Sequence, residues 1–113
     1  MNQTPHSDRA LHALQRDTFA YFVQNGNPVN GLIADKTRAG APASIAIVGF
    51  ALAAYTVGVE RGFITRGEAV ERTLATLRFF WNSPQGTDPD ATGYQGFYYQ
   101  YLLTGLHCMD KFW

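Results

Sequence analysis

Twenty-one consecutive residues, Ala39 to Val59, carry no charge and are bounded by Arg38 and Glu60. A run of that length is long enough to span a bilayer. Its composition argues against a span, because it is built from Ala, Gly, Ser, Thr and a Pro with few large aliphatics. Pro42 also defers the start of the helix to Ser44. The expectation is a core helix over 44–61 that is apolar nearly all round and so packed on several sides. Ile45, Val48, Leu52, Tyr55 and Val59 mark one face of it. Gly49 and Gly58 offer close helix–helix approach, each at a cost of about 1 kcal/mol against Ala.

A buried helix needs partners, and the flanking sequence supplies two. Thr65-Arg66-Gly67-Glu68 is a capping box, in which the threonine hydroxyl accepts from the N3 amide. Val70, Leu74, Leu77 and Trp81 then recur on one face as far as Asn82, and Ser83-Pro84 stops the helix. Glu68 and Arg72 form an i,i+4 pair on the other side. With the core helix this makes an antiparallel αα-hairpin. Upstream, Leu11, Leu14, Thr18, Tyr21 and Phe22 repeat at helical spacing within 8–24, capped by Ser7, or by Thr4 ahead of Pro5. At 113 residues the chain has room for one small domain. The fold class is mainly α.

The connections carry the less regular chemistry. Residues 25–43 form a nineteen-residue connection holding three Gly, two Pro and three Asn. Connections of that length in compact domains are often functional. Leu32 and Ile33 would pin this one, and Asp35, Lys36 and Arg38 beside them are the first place to look for ligand contacts. In the second connection, over 83–96, Asp88 and Asp90 read as turn formers. Neither an EF-hand calcium loop nor a glycosidase carboxylate pair is supplied by those two residues. Gly96 to Leu103 is an aromatic run that favours an extended segment. Ten of the sixteen aromatic residues lie between Phe79 and Trp113. Such rings either plug a core or, exposed in a cleft, stack on sugars.

Charge and cysteine content narrow the partners. Nine Lys/Arg balance nine Asp/Glu, which argues against nucleic acid and anionic membranes, since both select clustered positive charge. Cys108 is the one cysteine, so no intrachain disulfide or Cys-rich zinc site forms. His6, His12 and His107 share no metal-ligand spacing. The first residues contain no apolar stretch of a secretory signal, so the chain reads as cytoplasmic by default, with a periplasmic location open to a longer parent protein.

Several stretches together resemble a known family. They are Leu14 to Phe22, Gly31 to Asp35, Ala43 to Leu52, Arg72 to Phe80 and Gly96 to Tyr99, in matching order over about three quarters of the chain. This set is similar to the glycoamylase-like glycoside hydrolases, a group that includes endo-β-1,2-glucanases and a domain of cyclic β-1,2-glucan synthases. The resemblance implies an (α/α)6 toroid with a glucan cleft and no cofactor, and a glucan or oligosaccharide as the partner. The helical hairpin matches one part of such a ring.

The sequence departs from the family after Tyr99. There the family continues His-Phe-Leu-Asp, whereas Gln100-Tyr101-Leu102-Leu103 follows here. The expectation is therefore a family-like part over 1–99 and an atypical tail over 100–113, from a truncated or frame-shifted gene product. The family's hydrolytic carboxylates are expected beyond this chain, so no catalytic residue is assigned. Asp35, Trp81, Tyr98 and Tyr99 are the candidate substrate-binding residues, and no metal site is expected. Hydrolysis by the isolated chain is not expected. The alternative is a small α-helical interaction module without catalysis. Exposed apolar helix faces would in either case promote self-association.

Overall fold

The computed structural model describes residues 5–102 of the chain. Three helices form in sequence: α1, Pro5–Gln24; α2, Ile45–Glu60; and α3, Arg66–Asn82. Four two-residue strands accompany them: β1, Ala43–Ser44; β2, Gly93–Tyr94; β3, Phe97–Tyr98; and β4, Tyr101–Leu102. The chain is mainly α, as its periodicity implies. Thr4, Leu103, His107, Cys108 and Trp113, which entered the sequence reading, lie outside the described residues.

Local chemistry sets the helix ends. Ser44 caps α2, its hydroxyl accepting from the Ala46 amide at 3.2 Å. Thr65 caps α3 by accepting from the Glu68 amide at 3.1 Å. α1 begins three residues earlier than Asp8, with Pro5 in its first turn, where a missing N–H costs nothing.

α2 packs between α1 and α3. Its buried residues are Val48, Ala51, Tyr55 and Gly58. Gly58 is needed for the close approach of α1, since a Cβ there would sit 2.5 Å from the Phe19 ring. Gly49 has no such role, because a Cβ there would meet nothing within 4 Å. Here the structure corrects the expectation of burial all round. Ala46, Gly49, Phe50, Ala53 and Val57 face outward, and Phe50 is 66% exposed. Val70, Leu74, Leu77 and Trp81 on α3 are exposed as well, as are Leu11 and Leu14 on α1. α3 instead buries its small residues Ala69 and Thr76.

The side of the helix row that is covered meets a layer of irregular chain. Residues 25–43 are fastened there by Leu32 and Ile33, both fully buried. Single bridges pair Gly26 with Ile33 and Ala34 with Ala43. Asn30 turns the chain by accepting the Leu32 amide at 3.0 Å. Gly31 adopts φ +72° against Thr76, whose hydroxyl donates to the Arg72 carbonyl at 3.1 Å and reaches the Gly31 carbonyl at 3.4 Å. β4 completes the layer by pairing antiparallel with β1, Ala43 opposite Leu102 and Ser44 opposite Tyr101. Leu102 is 2% exposed, so the packed unit continues past Tyr99 into the segment that the sequence assigns to the tail.

Arg72 does not serve chiefly as an i,i+4 partner. It donates to the buried Tyr55 hydroxyl, linking α3 to α2. Burial pushes the Tyr55 pKa up, and the Arg72 charge and hydrogen bond offset part of that rise.

Two outcomes follow from this packing. Gly31→Ala places a Cβ 2.0 Å from the Thr76 hydroxyl and 2.7 Å from its backbone, at a positive φ. Thermal melts should show a loss above about 1 kcal/mol, read as a fall in Tm of at least about 4 °C. Folded Tyr55 keeps its proton to higher pH than the unfolded chain. Its contribution is complete below about pH 10 and is lost as pH rises through the raised folded value. Melts between about pH 8 and 11 should therefore show Tm falling at the alkaline end, less steeply in Tyr55→Phe.

Candidate functional site

Three exposed aromatic side chains, Trp81, Tyr94 and Phe97, lie on the C-terminal end of α3 and the hairpin that follows it. Two connections wrap it. The 83–92 loop folds back, with the Thr92 amide and hydroxyl both donating to the Pro84 carbonyl at 2.9 and 3.1 Å. The β2–β3 hairpin follows, with Gly93 opposite Tyr98 and Tyr94 opposite Phe97. Gln85 ties the hairpin to the loop by accepting the Gly96 amide at 3.0 Å.

Aromatic side chains lie along this end, Phe97 and Tyr98 on opposite faces of their strand. Tyr98 packs edge-on against Phe80 with ring centroids 4.8 Å apart, and its hydroxyl donates to the Phe80 carbonyl at 3.0 Å. Trp81, the next residue, is 88% exposed, and Phe97 on the hairpin is 70% exposed. Rings presented this way offer flat apolar faces with polar rims, a surface suited to stacking on pyranose rings.

A groove of about 710 Å3 lies between α3, residues 29–30 and the 83–92 loop. Its apolar floor includes Leu74 and Phe79, and Asn30, Glu71, Arg78, Asn82 and Asp90 border it. Glu71, Arg78 and Asn82 recur at helical spacing on α3, so they share a face. A groove with an apolar floor and a few polar groups around it is the usual form of a small-molecule site. The sequence reading missed this group because it followed the apolar stripe of α3. The 71, 78, 82 spacing was the signal available. Asp88 and Asp90 stand in a turn, as their sequence context implies: the Asp88 carbonyl accepts the Ala91 amide at 3.0 Å, and Asp90 lies inside the turn so closed.

The four candidate residues separate in space. Trp81 lies at the end of α3, and Tyr98 packs on its chain neighbour Phe80. Tyr99 points the other way along its extended segment. It is 7% exposed within the hydrophobic cluster, and its amide donates to the Thr92 carbonyl at 3.0 Å. It is therefore a packing residue rather than part of the exposed aromatic surface. Asp35 belongs to another neighbourhood. Its amide donates to the Pro42 carbonyl at 2.8 Å, and its carboxylate adds to the upward shift that desolvation gives Tyr21. The Tyr21 hydroxyl donates to the Ala34 carbonyl.

No helix among the described residues is long and apolar enough to cross a membrane. No protein-family model matches the chain, and no curated protein matches it. A crystal structure does. It is a Bacteroides uniformis protein provisionally named a glucoamylase, similar at TM-score 0.73 and 31% identity over 94% of this chain. The chain spans 24% of that protein's length. The fold is thus glucoamylase-like, it fits a fragment of an α/α toroid, and the relation is to a glycoside-hydrolase-like protein.

Proposed function

We propose that this chain forms part of a glucan-acting domain of the glycoside hydrolase kind, and that its contribution is to bind carbohydrate rather than to cleave it. The observation that carries this reading is the likeness to the B. uniformis protein over 94% of the chain. The sequence resemblance narrows the substrate class to a β-1,2-linked glucan. Trp81 stacks on a sugar ring, with the Tyr98–Phe80 pair fixing the turn beside it. Asn30, Asn82 and Arg78 offer hydrogen bonds to hydroxyls along the adjoining groove.

Glycoside hydrolysis takes two carboxyl groups at a set separation across the scissile bond, one giving a proton and one activating water or attacking. Asp35 sits beside Tyr21 and Pro42, and Glu71 and Asp90 border the groove; no pair of them is assigned these two roles. The isolated 113 residues are accordingly a binding piece.

Calorimetric titration with β-1,2-linked glucooligosaccharides tests this. Binding is expected, and Trp81→Ala should weaken it about tenfold or more, the loss of one ring-stacking contact of about 1–2 kcal/mol. Equal binding by Trp81→Ala would sink the assignment of that surface. Reducing-end release from β-1,2-glucan should be absent. Release that disappears in Asp35→Asn would overturn the non-catalytic reading.

A further inference from the structure

The β2–β3 hairpin has two unlike faces. Gly93 and Tyr98 stand opposite one another on the first. That face is held to the protein, since Gly93 is buried and Tyr98 packs on Phe80 and donates to its carbonyl. Tyr94 and Phe97 stand opposite one another on the second face, because successive strand residues alternate. They are 42% and 70% exposed, so two rings of a cross-strand pair lie side by side in solvent.

The turn that joins them is strained. Gln95 at φ +50° and Gly96 at φ +88° occupy its two central places. Glycine adopts that backbone freely, and the first place of such a turn ordinarily goes to Asn, Asp or Gly. Among the described residues, Gln95 alone of the non-glycine residues has a positive φ. The side chain held there is ordered, its Nε2 donating to the Tyr94 hydroxyl at 3.2 Å. Its carbonyl oxygen bonds no other described residue. The Tyr94 hydroxyl, accepting from that amide, keeps its own hydrogen to donate. An acceptor and a donor thus stand together at the edge of an exposed ring pair. A sugar presents the complement, an apolar C–H face edged by hydroxyls that donate and accept. An apolar helix face laid there would leave the amide oxygen buried without a partner.

We infer, on the carbohydrate reading given above, that the tip of this hairpin is a second sugar contact besides Trp81, and that Gln95 is its specificity residue. A pyranose ring lies on Tyr94 and Phe97. Gln95 Oε1 accepts from one of its hydroxyls, and the Tyr94 hydroxyl donates to a neighbouring oxygen. The strain at Gln95 is the local cost of placing that amide.

Calorimetric titration of the full chain with β-1,2-linked glucooligosaccharides, run beside thermal melts, tests this. Gln95→Gly removes the amide and relaxes the turn. Tm should hold or rise while Kd rises about fivefold, the loss of one polar contact. Tyr94→Phe keeps the ring and should weaken binding to about the same degree. The double variant should match either single one within about twofold, because both groups act as one hydrogen-bonded pair. Binding by the native chain that Gln95→Gly leaves unchanged would overturn the hairpin contact and leave the Trp81 surface standing. A Tm several degrees lower in Gln95→Gly would make Gln95 a packing residue and overturn it equally. Single effects that multiply in the double variant would overturn the pairing. No binding by the native chain would overturn the carbohydrate reading and the hairpin contact together.

Discussion

The seating of Gly31 on Thr76 is the contact on which the rest of the molecule depends. It brings an extended connection flat against α3 at a point where no side chain fits between them. Leu32 and Ile33 follow immediately and are fully buried. Those two residues turn a glycine- and proline-rich segment into one wall of the core. From there the bridge between Ala34 and Ala43 leads into β1, and β1 carries both the cap of α2 and the pairing with β4. Short strands of two residues hold because their side chains, Ala43 and Leu102 above all, are buried. Isolated ladders of that length are marginal in water.

This arrangement makes the fold two-sided. The helix row is covered on one side by loops and strands and left apolar on the other. Complete small domains bury the apolar stripe of each helix against another layer. Here Phe50, Leu14 and Val70 keep theirs at the surface. That open side is the feature by which the chain fits a piece of a larger α/α architecture. The surface proposed for carbohydrate lies at the end of α3, where Trp81 and the hairpin are exposed.

Much of the architecture was legible in the residues. Ser44 and Thr65 marked two helix starts because capping is a short-range hydrogen bond between a hydroxyl and an amide two or three residues on. Leu32 and Ile33 were readable as anchors because adjacent large aliphatics in a polar loop have few other uses. The candidate site was legible in part. Trp81 and Tyr98 could be named from type alone, but Tyr99 could not be told from its neighbour, since adjacent residues of an extended chain point to opposite sides and sequence does not say which side is core. Glu71, Arg78 and Asn82 had the right spacing. What joined them to Asn30 and Asp90 was the fold-back of two distant loops.

The sequence by itself determined the three helices, the caps of α2 and α3, the pinned first connection and the absence of concentrated charge, because each of these rests on interactions between near neighbours or on composition. The tertiary structure decided which apolar faces are covered. Val48 and Tyr55 are buried while Phe50 stays exposed, and Thr76 is buried while Leu77 is not. Hydrophobicity alone ranks these residues the other way in two of the pairings. The outcome is set by which side of each helix the loop layer reaches, and that depends on a single close contact, Gly31 on Thr76, between residues 45 positions apart.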